Sequence, residues 1–147
     1  MSEIYDVKTY VSRTSVGRLI SRARVELVNA VDKELAQFDI TAAQYVVLAT
    51  LADDHADSAA QLCKEISYNQ GAMTRMIDRL EQKGLLRRVR SHHDRRIVQL
   101  ELTDEGKAIN PVLRTCSVNV SNRLLRGFSK DEVRQFESFL ERMLANS

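Results

Sequence analysis

The residues best suited to chemistry in this 147-residue chain lie close together, between positions 87 and 100. This stretch reads RRVRSHHDRRIVQL and contains five arginines, two adjacent histidines and one aspartate. Three kinds of site fit these residue types: a metal centre on the histidines, a solvated basic tract, or a folded finger whose guanidinium groups contact phosphate. The elements around the stretch decide between them.

The two histidines, His92 and His93, are weak candidates for metal ligands. Adjacent histidines on a loop do not converge easily on one ion, and Asp94 is the only further ligand type nearby. Cys63 and Cys116 are far apart in sequence and fall on apolar helix faces, which is typical of small buried side chains. We therefore expect no metal and no cofactor.

Basic residues are concentrated in one part of the chain. Positions 61–96 carry nine lysines and arginines against four acidic residues, a charge of +5, so the remainder carries −3 of the total of +2. A local positive block on an otherwise slightly acidic protein favours a polyanionic partner, because the cations release condensed counterions when they bind it. A solvated charged face is the alternative.

Length and composition indicate one domain, since 44% of the residues are hydrophobic and 29% are charged. No window approaches the roughly 18 apolar residues that a membrane span needs, and the N-terminus lacks the layout of a signal peptide. We expect a cytoplasmic protein with no membrane partner. An enzyme is not expected, because the chain has no Gly-rich phosphate loop, nucleophile elbow or HExxH motif.

Capping-box patterns predict helix starts near Thr41, Ser58 and Ser129. Before Thr41, apolar residues at spacings of three and four predict a long amphipathic helix over about 10–37. The helix after Thr41 is apolar nearly all round and should be central. The first helix and the two C-terminal ones carry more apolar surface than one small lobe covers, which favours burial in a dimer interface.

The helix over about 70–83 has one apolar face and one polar face. Asn69 suits its N-cap, and Gly84 suits the left-handed position after its end. A further helix begins after Thr103. Because Pro111 has no backbone N–H, we expect a kink or break in that helix near Asn110.

Between positions 85 and 102 the apolar period changes from that of a helix to that of a strand. The pattern predicts two short antiparallel strands that flank a loop at 91–96. The same alternation predicts that Val89, Val98 and Leu100 are buried, while Arg88 and Arg90 share an exposed face.

Two short helices joined by a tight link at 67–69, and followed directly by a basic hairpin, form a winged helix-turn-helix. At this point the chain resembles the MarR family of bacterial transcription regulators. The matching segments are FDITAAQYVVLATL (38–51), GAMTRMIDRLEQKGLL (71–86), DRR (94–96) and LELTDEGKAI (100–109). The third hypothesis for RRVRSHHDRRIVQL, a folded finger, is therefore preferred.

The resemblance implies a mainly α (α+β) fold: a winged helix-turn-helix with a two-stranded β wing and dimerisation helices at both ends. Residues 1–147 would form one such domain, with the lobe over about 41–102 and the dimerisation helices over about 10–37 and 103–147. It also implies a homodimer that binds pseudo-palindromic operator DNA, usually represses, and is released by small aromatic or phenolic acids.

Carried over to this chain, the exposed start of the family's recognition helix corresponds to Gln70, Gly71, Thr74 and Arg75. Glutamine pairs with adenine, arginine with guanine, and threonine meets a thymine methyl or a phosphate. Gly71 permits close approach of the backbone. Arg79 either meets phosphate or pairs with a neighbouring carboxylate.

In the wing, Asp94 matches a family aspartate that holds the tip by pairing with an arginine, for which Arg96 is the best candidate. Either Arg95 or Arg96 would then enter the minor groove. Arg88 and Arg90 are interpreted as phosphate contacts.

The effector site implied by the resemblance lies between the dimerisation helices and the lobe. Arg18 and Arg22 are the nearest cations for an acid, although each is equally well explained as a surface arginine. Two alternatives stay open: a redox-responsive regulator of the same fold, for which Cys63 beside Lys64 is a poor candidate, and a helical protein-interaction module that does not bind DNA.

Overall fold

Side-chain caps determine where most of the helices begin. In the computed structural model, which describes residues 2–54 and 56–147, the elements are α1 (Val16–Leu35), α2 (Ala42–Ala52), α3 (Ala59–Glu65), α4 (Gln70–Gln82), β1 (Leu86–Arg90), β2 (Val98–Leu102), α5 (Asp104–Leu124) and α6 (Lys130–Leu144). Short 3-10 turns at Ser12–Thr14 and Ala36–Phe38 flank α1.

The three predicted caps are present. Thr41 forms a complete capping box with Gln44, and the hydroxyls of Ser58 and Ser129 each accept an N–H from the residue three positions later. At Ser58 the reciprocal bond is displaced by one residue, because the Gln61 side chain accepts from the Asp57 N–H at 2.8 Å.

The predicted start of α1 near residue 10 is wrong. Ser15 is the N-cap: its backbone is extended, and its hydroxyl accepts the Arg18 N–H at 3.3 Å. Tyr5 and Tyr10 lie against this end, since the Val16 N–H donates to the Tyr5 hydroxyl and the Tyr10 hydroxyl donates to Ser15. The N-terminal segment is thus bound to the start of α1 but does not extend it.

One apolar core joins the lobe to α1 and α5. As expected, α2 is central, with Val47 and Leu48 fully buried. The other fully buried large side chains are Leu35, Leu62, Met73, Ile77, Leu80, Leu86, Leu113 and Val120. The core therefore fixes α3, α4 and the base of the hairpin to the same support.

The hairpin is a two-stranded antiparallel sheet in which Leu86 faces Leu102 and Arg90 faces Val98. Leu100 is buried, as predicted, whereas Val89, also predicted to be buried, is only half-buried. The prediction that Val98 is buried is wrong, because it is 41% exposed. Val98 pairs with Arg90 at the outer end of the sheet, beyond the reach of the core.

Of the kink or break predicted near Asn110, the break does not occur, because α5 continues from Asp104 to Leu124. Pro111 is exposed, and so is Lys107, whose carbonyl loses its helical partner and can be hydrated instead. Leu113 and Val120, which follow Pro111 in the same helix, are completely buried. Packing therefore holds the helix together across the missing hydrogen bond.

The terminal helices leave apolar side chains uncovered. All residues of α6 are described and none is buried, although the helix carries Phe136, Phe139, Met143 and Leu144. None of the helices in the described part of the chain is by itself long and apolar enough to cross a membrane; α1 and α2 meet that test only as a pair bent by 80°.

Candidate nucleic-acid interface

The N-terminal end of α4 is presented to solvent. The Asn69 side chain caps it by accepting the Ala72 N–H at 3.1 Å, as predicted. Met73, Met76, Ile77 and Leu80 are buried, which turns the opposite face outward. The positive end of the helix dipole and its free N–H groups are therefore available to an anion.

The exposed residues at this end are the four expected at the start of a recognition helix: Gln70, Gly71, Thr74 and Arg75. The Thr74 hydroxyl donates to the Gln70 carbonyl at 3.1 Å. The guanidinium of Arg75 folds back toward the N-terminus, since its Nη1 lies 3.9 Å from where a Cβ on Gly71 would stand. The N-terminal end of α4 is thus a flat polar surface beside the guanidinium of Arg75.

Within the described ranges, neither Arg75 nor Arg79 forms an ion pair. Of the two possibilities for Arg79, pairing with a neighbouring carboxylate is therefore not what the structure contains. Both guanidinium groups keep their donors for an external acceptor.

The loop between the strands is folded around Asp94. Its carboxylate accepts from Arg96 at Nε (3.1 Å), at Nη2 (3.2 Å) and at the backbone N–H (3.0 Å). These bonds lower the pKa of Asp94, the side-chain bond most and the backbone bond next. The pairing of Asp94 with Arg96 is confirmed.

The arginines of the wing differ in their exposure and in their hydrogen bonds within the loop. The side chain of Arg96 is 91% exposed despite its pairing, and Arg95 is exposed as well. Arg90 donates from Nη1 to the Arg95 carbonyl at 2.8 Å, so it supports the loop from below. The tip therefore presents Arg95 and Arg96 on a loop held by its own hydrogen bonds.

The guanidinium of Arg88 is hydrogen-bonded to carboxylates of the same protein. Its Nη2 donates to Asp78 Oδ1 at 2.6 Å and its Nη1 to Glu81 Oε1 at 2.7 Å. These partners raise the pKa of Arg88, through the hydrogen bond to Asp78 first. Arg88 and Arg90 do share one face of β1, as predicted, but the guanidinium of Arg88 is turned toward α4.

The comparisons with known proteins agree with this geometry. The model of the MarR family matches residues 40–98. The multiple antibiotic resistance protein MarR of Escherichia coli is 32% identical over 130 residues, which are 88% of this chain and 90% of that protein. The chain belongs to the MarR family.

Solved structures of family members superpose over nearly the whole chain. A cysteine-to-serine variant of Escherichia coli MarR complexed with operator DNA is 30% identical, with a TM-score of 0.81, over 95% of this chain and 99% of that one. BpsR of Bordetella bronchiseptica, described as regulated in DNA binding by 6-hydroxynicotinic acid, is 28% identical, with a TM-score of 0.81, over 94% and 98%. This chain is a MarR-family transcriptional regulator with a winged helix fold, and the family is not one of enzymes.

The histidines lie on the surface of the wing. His92 and His93 are exposed, and the His93 N–H donates to the hydroxyl of Ser91. In the part of the chain that the structure describes, no group of three His, Cys, Asp or Glu side chains is arranged to hold a metal ion. Cys63 and Cys116 are half-buried free thiols that pack against the core.

The two effector candidates, Arg18 and Arg22, are exposed on α1. Neither arginine lines the open cleft between α5 and α6 or the one between the lobe and α5. The cleft between the lobe and α5, about 460 Å³ in volume, is lined by Asp54, Asp57 and Glu101, with Lys107 as its cation. Three carboxylates around one lysine make this cleft a poor site for an acid.

Sequence reasoning missed the carboxylate pair Asp78 and Glu81. Their spacing of three residues puts both on one face of α4, and alternation puts Arg88 on the face of β1 that turns toward that helix. The signal is present in the sequence, but Arg88 was interpreted as a phosphate contact, so no partner within the protein was assigned to it.

Proposed function

We propose that this MarR-family regulator acts in the cytoplasm as a homodimeric repressor that binds a pseudo-palindromic operator and is released by a small aromatic acid. One observation carries the proposal. The exposed start of α4, where Arg75 forms no ion pair with any described residue, belongs to the same lobe as Arg96, which is exposed and held by Asp94. A helix and a basic loop of this kind suit the major groove and the adjacent minor groove.

In this proposal α4 reads bases. Gln70 has the geometry for adenine and Arg75 for the O6 and N7 acceptors of guanine, each by two hydrogen bonds. Thr74 meets a thymine methyl or a phosphate, and Gly71 lets the backbone approach closely, since it has no side chain. Arg79, farther along the helix, contacts phosphate.

The wing supplies affinity more than sequence preference. Arg95 and Arg96 enter or border the minor groove, with Asp94 aiming Arg96 and Arg90 supporting the loop. Contacts of this type respond to groove shape and phosphate charge, and they weaken as salt rises.

The dimer is supported by the uncovered apolar residues of the terminal helices. Phe136, Phe139, Met143 and Leu144 on α6 are 47–68% exposed, and an isolated protomer would leave these side chains in water. A two-fold dimer that buries them also repeats α4, so the operator has two half-sites about one helical turn apart.

The effector proposal rests on the likeness to BpsR and on the family. A hydroxylated aromatic acid needs a cation and an apolar wall. Arg18 and Arg22 lie on α1 beside apolar side chains that are also exposed, Leu19 among them. A pocket completed by the partner protomer would use these groups and would couple binding to the distance between the two α4 helices.

A nuclease footprint on the DNA upstream of the protein's own gene tests the proposal, repeated with a panel of hydroxybenzoic and hydroxynicotinic acids. We expect a protected palindrome of about two helical turns that disappears with one of the acids. Protection of DNA that no acid reverses would contradict the proposed effector. Protection without two-fold symmetry would contradict the proposed dimer, and no protection at low salt would contradict DNA binding.

A further inference from the structure

The base of the wing is tied to the C-terminal half of α4 by one side chain. Arg88, on β1, donates to Asp78 and to Glu81, which lie one turn apart on α4. Glu81 accepts a second bond from the same residue, because its Oε2 lies 3.1 Å from the backbone nitrogen of Arg88. The side chain and the backbone N–H of Arg88 thus both join β1 to α4.

Only arginine has the shape for this link. The planar guanidinium directs its donors to two acceptors at once, whereas a lysine ammonium is a single point of charge. The side chain of Arg88 is one-third exposed, against about half for Asp78. The arginine is therefore the inner member of the cluster and is screened from a polyanion by the two carboxylates.

The opposite edge of the hairpin is held as well. In the strand register Arg88 faces Leu100, and the Leu100 N–H points away from β1 to donate to the Asp57 carbonyl at 2.7 Å. The outward N–H groups of Arg88 on β1 and Leu100 on β2 thus each find an acceptor in the lobe. The bonds from the side chain and the backbone N–H of Arg88 are the part of this anchorage that reaches α4.

We propose that Arg88 is a positioning residue that fixes the wing relative to α4, so that the helix and the loop engage one DNA molecule in a single geometry. This inference rests on the proposed function of the lobe. It replaces the expected role of Arg88 as a phosphate contact, and the two roles predict opposite outcomes when the carboxylates are removed.

The decisive variant is the double substitution Asp78→Ala and Glu81→Ala. Alanine is the best helix former, so α4 should keep its structure. The protein loses two negative charges near the DNA, so an Arg88 that contacts phosphate would then bind more tightly. If Arg88 positions the wing, operator affinity falls instead, by about tenfold, the size expected from losing two exposed ion pairs.

Two further variants separate charge from geometry. Arg88→Lys keeps the charge but not the two-pronged link, so we expect it to weaken binding; affinity equal to that of the unsubstituted protein would favour phosphate contact. Glu101→Gln is the matched control: it removes a carboxylate from the same hairpin, where Glu101 pairs with Arg87 on the other face. It should leave binding unchanged or slightly tighter.

Hydrogen exchange of the full-length protein without DNA tests the link independently. In the Asp78→Ala, Glu81→Ala variant the amides of Ser91 and Ile97, which close the loop, should exchange several-fold faster while those of α1 stay as they were. Equal exchange in both proteins would overturn the positioning role. If the double variant exchanges faster but the unsubstituted protein binds no operator, the link is upheld and the function proposed for the lobe is refuted.

Discussion

Asp94 and Arg96 are joined by three hydrogen bonds across only two residues, two to the guanidinium and one to the backbone N–H. The exposed tip of the wing thereby has a fixed cation, although almost all of the Arg96 side chain is in contact with solvent. A loop of this kind loses less conformational freedom on binding than an unbraced one would.

The pKa of the Asp94 carboxyl should lie below the ordinary aspartate value of about 3.9, because Arg96 stabilises its ionised form. A folded-state pKa that is lowered contributes stability in full above the ordinary value, and this is lost as pH falls through the folded one. Titration of the carboxyl carbon by NMR measures the shift. In Arg96→Ala the value should rise toward the ordinary one, and an unchanged value would contradict the pairing.

Arg96→Ala should weaken binding to operator and to unrelated DNA by similar factors, because the wing contacts shape and charge more than bases. The slope of log affinity against log salt should become shallower by about 0.9 if one phosphate contact is lost. Arg96→Lys keeps the charge and should retain the slope. A loss confined to the operator would mean that Arg96 reads sequence.

Arg75→Ala should relax sequence preference at one position in each half-site by about 1–3 kcal/mol, the discrimination of a bidentate contact. The measurement is affinity for operators substituted one base pair at a time. At other positions the ranking of bases should be unchanged. If every position were affected alike, Arg75 would be a phosphate contact instead.

Local signals in the sequence predicted most of the elements. The caps at Thr41, Ser58, Asn69 and Ser129 each satisfy a backbone donor by a side chain a few residues away, so the pattern and the structure coincide. The start of α1 was missed because Ser15 caps it within a segment whose apolar spacing continues toward the N-terminus.

The errors arise where packing overrides a local rule. Pro111 lacks a donor, yet the buried neighbours of α5 keep the helix continuous. Val98 follows the strand alternation but lies past the end of the core. At the candidate site, the partner of Arg96 was recognisable two residues away, whereas the partners of Arg88 lie on another element. Long-range pairing of charged groups is the part that periodicity does not encode.

Gly106 is the position where α5 touches the turn that leads from α4 into the wing. A Cβ added there would overlap the carbonyl oxygen of Leu85 and stand 3.1 Å from its carbon. That carbonyl also accepts the Thr103 N–H at 3.1 Å, and the Thr103 hydroxyl donates to Gly84, so the backbone cannot move away without breaking these bonds. The contact links a proposed dimerisation helix to the wing.

Gly106→Ala should therefore lower the free energy of unfolding by about 1–3 kcal/mol, the cost of overpacking a closed contact. Urea unfolding at a fixed protomer concentration measures it, because a dimer's stability depends on concentration. Gly17→Ala is the matched control: Gly17 is also helical, and a Cβ there meets nothing within 4 Å. It should raise stability by about 0.5 kcal/mol through helix propensity. Equal midpoints for the two variants would show that α5 can shift away from Leu85, and the wing would then not be rigidly joined to that helix.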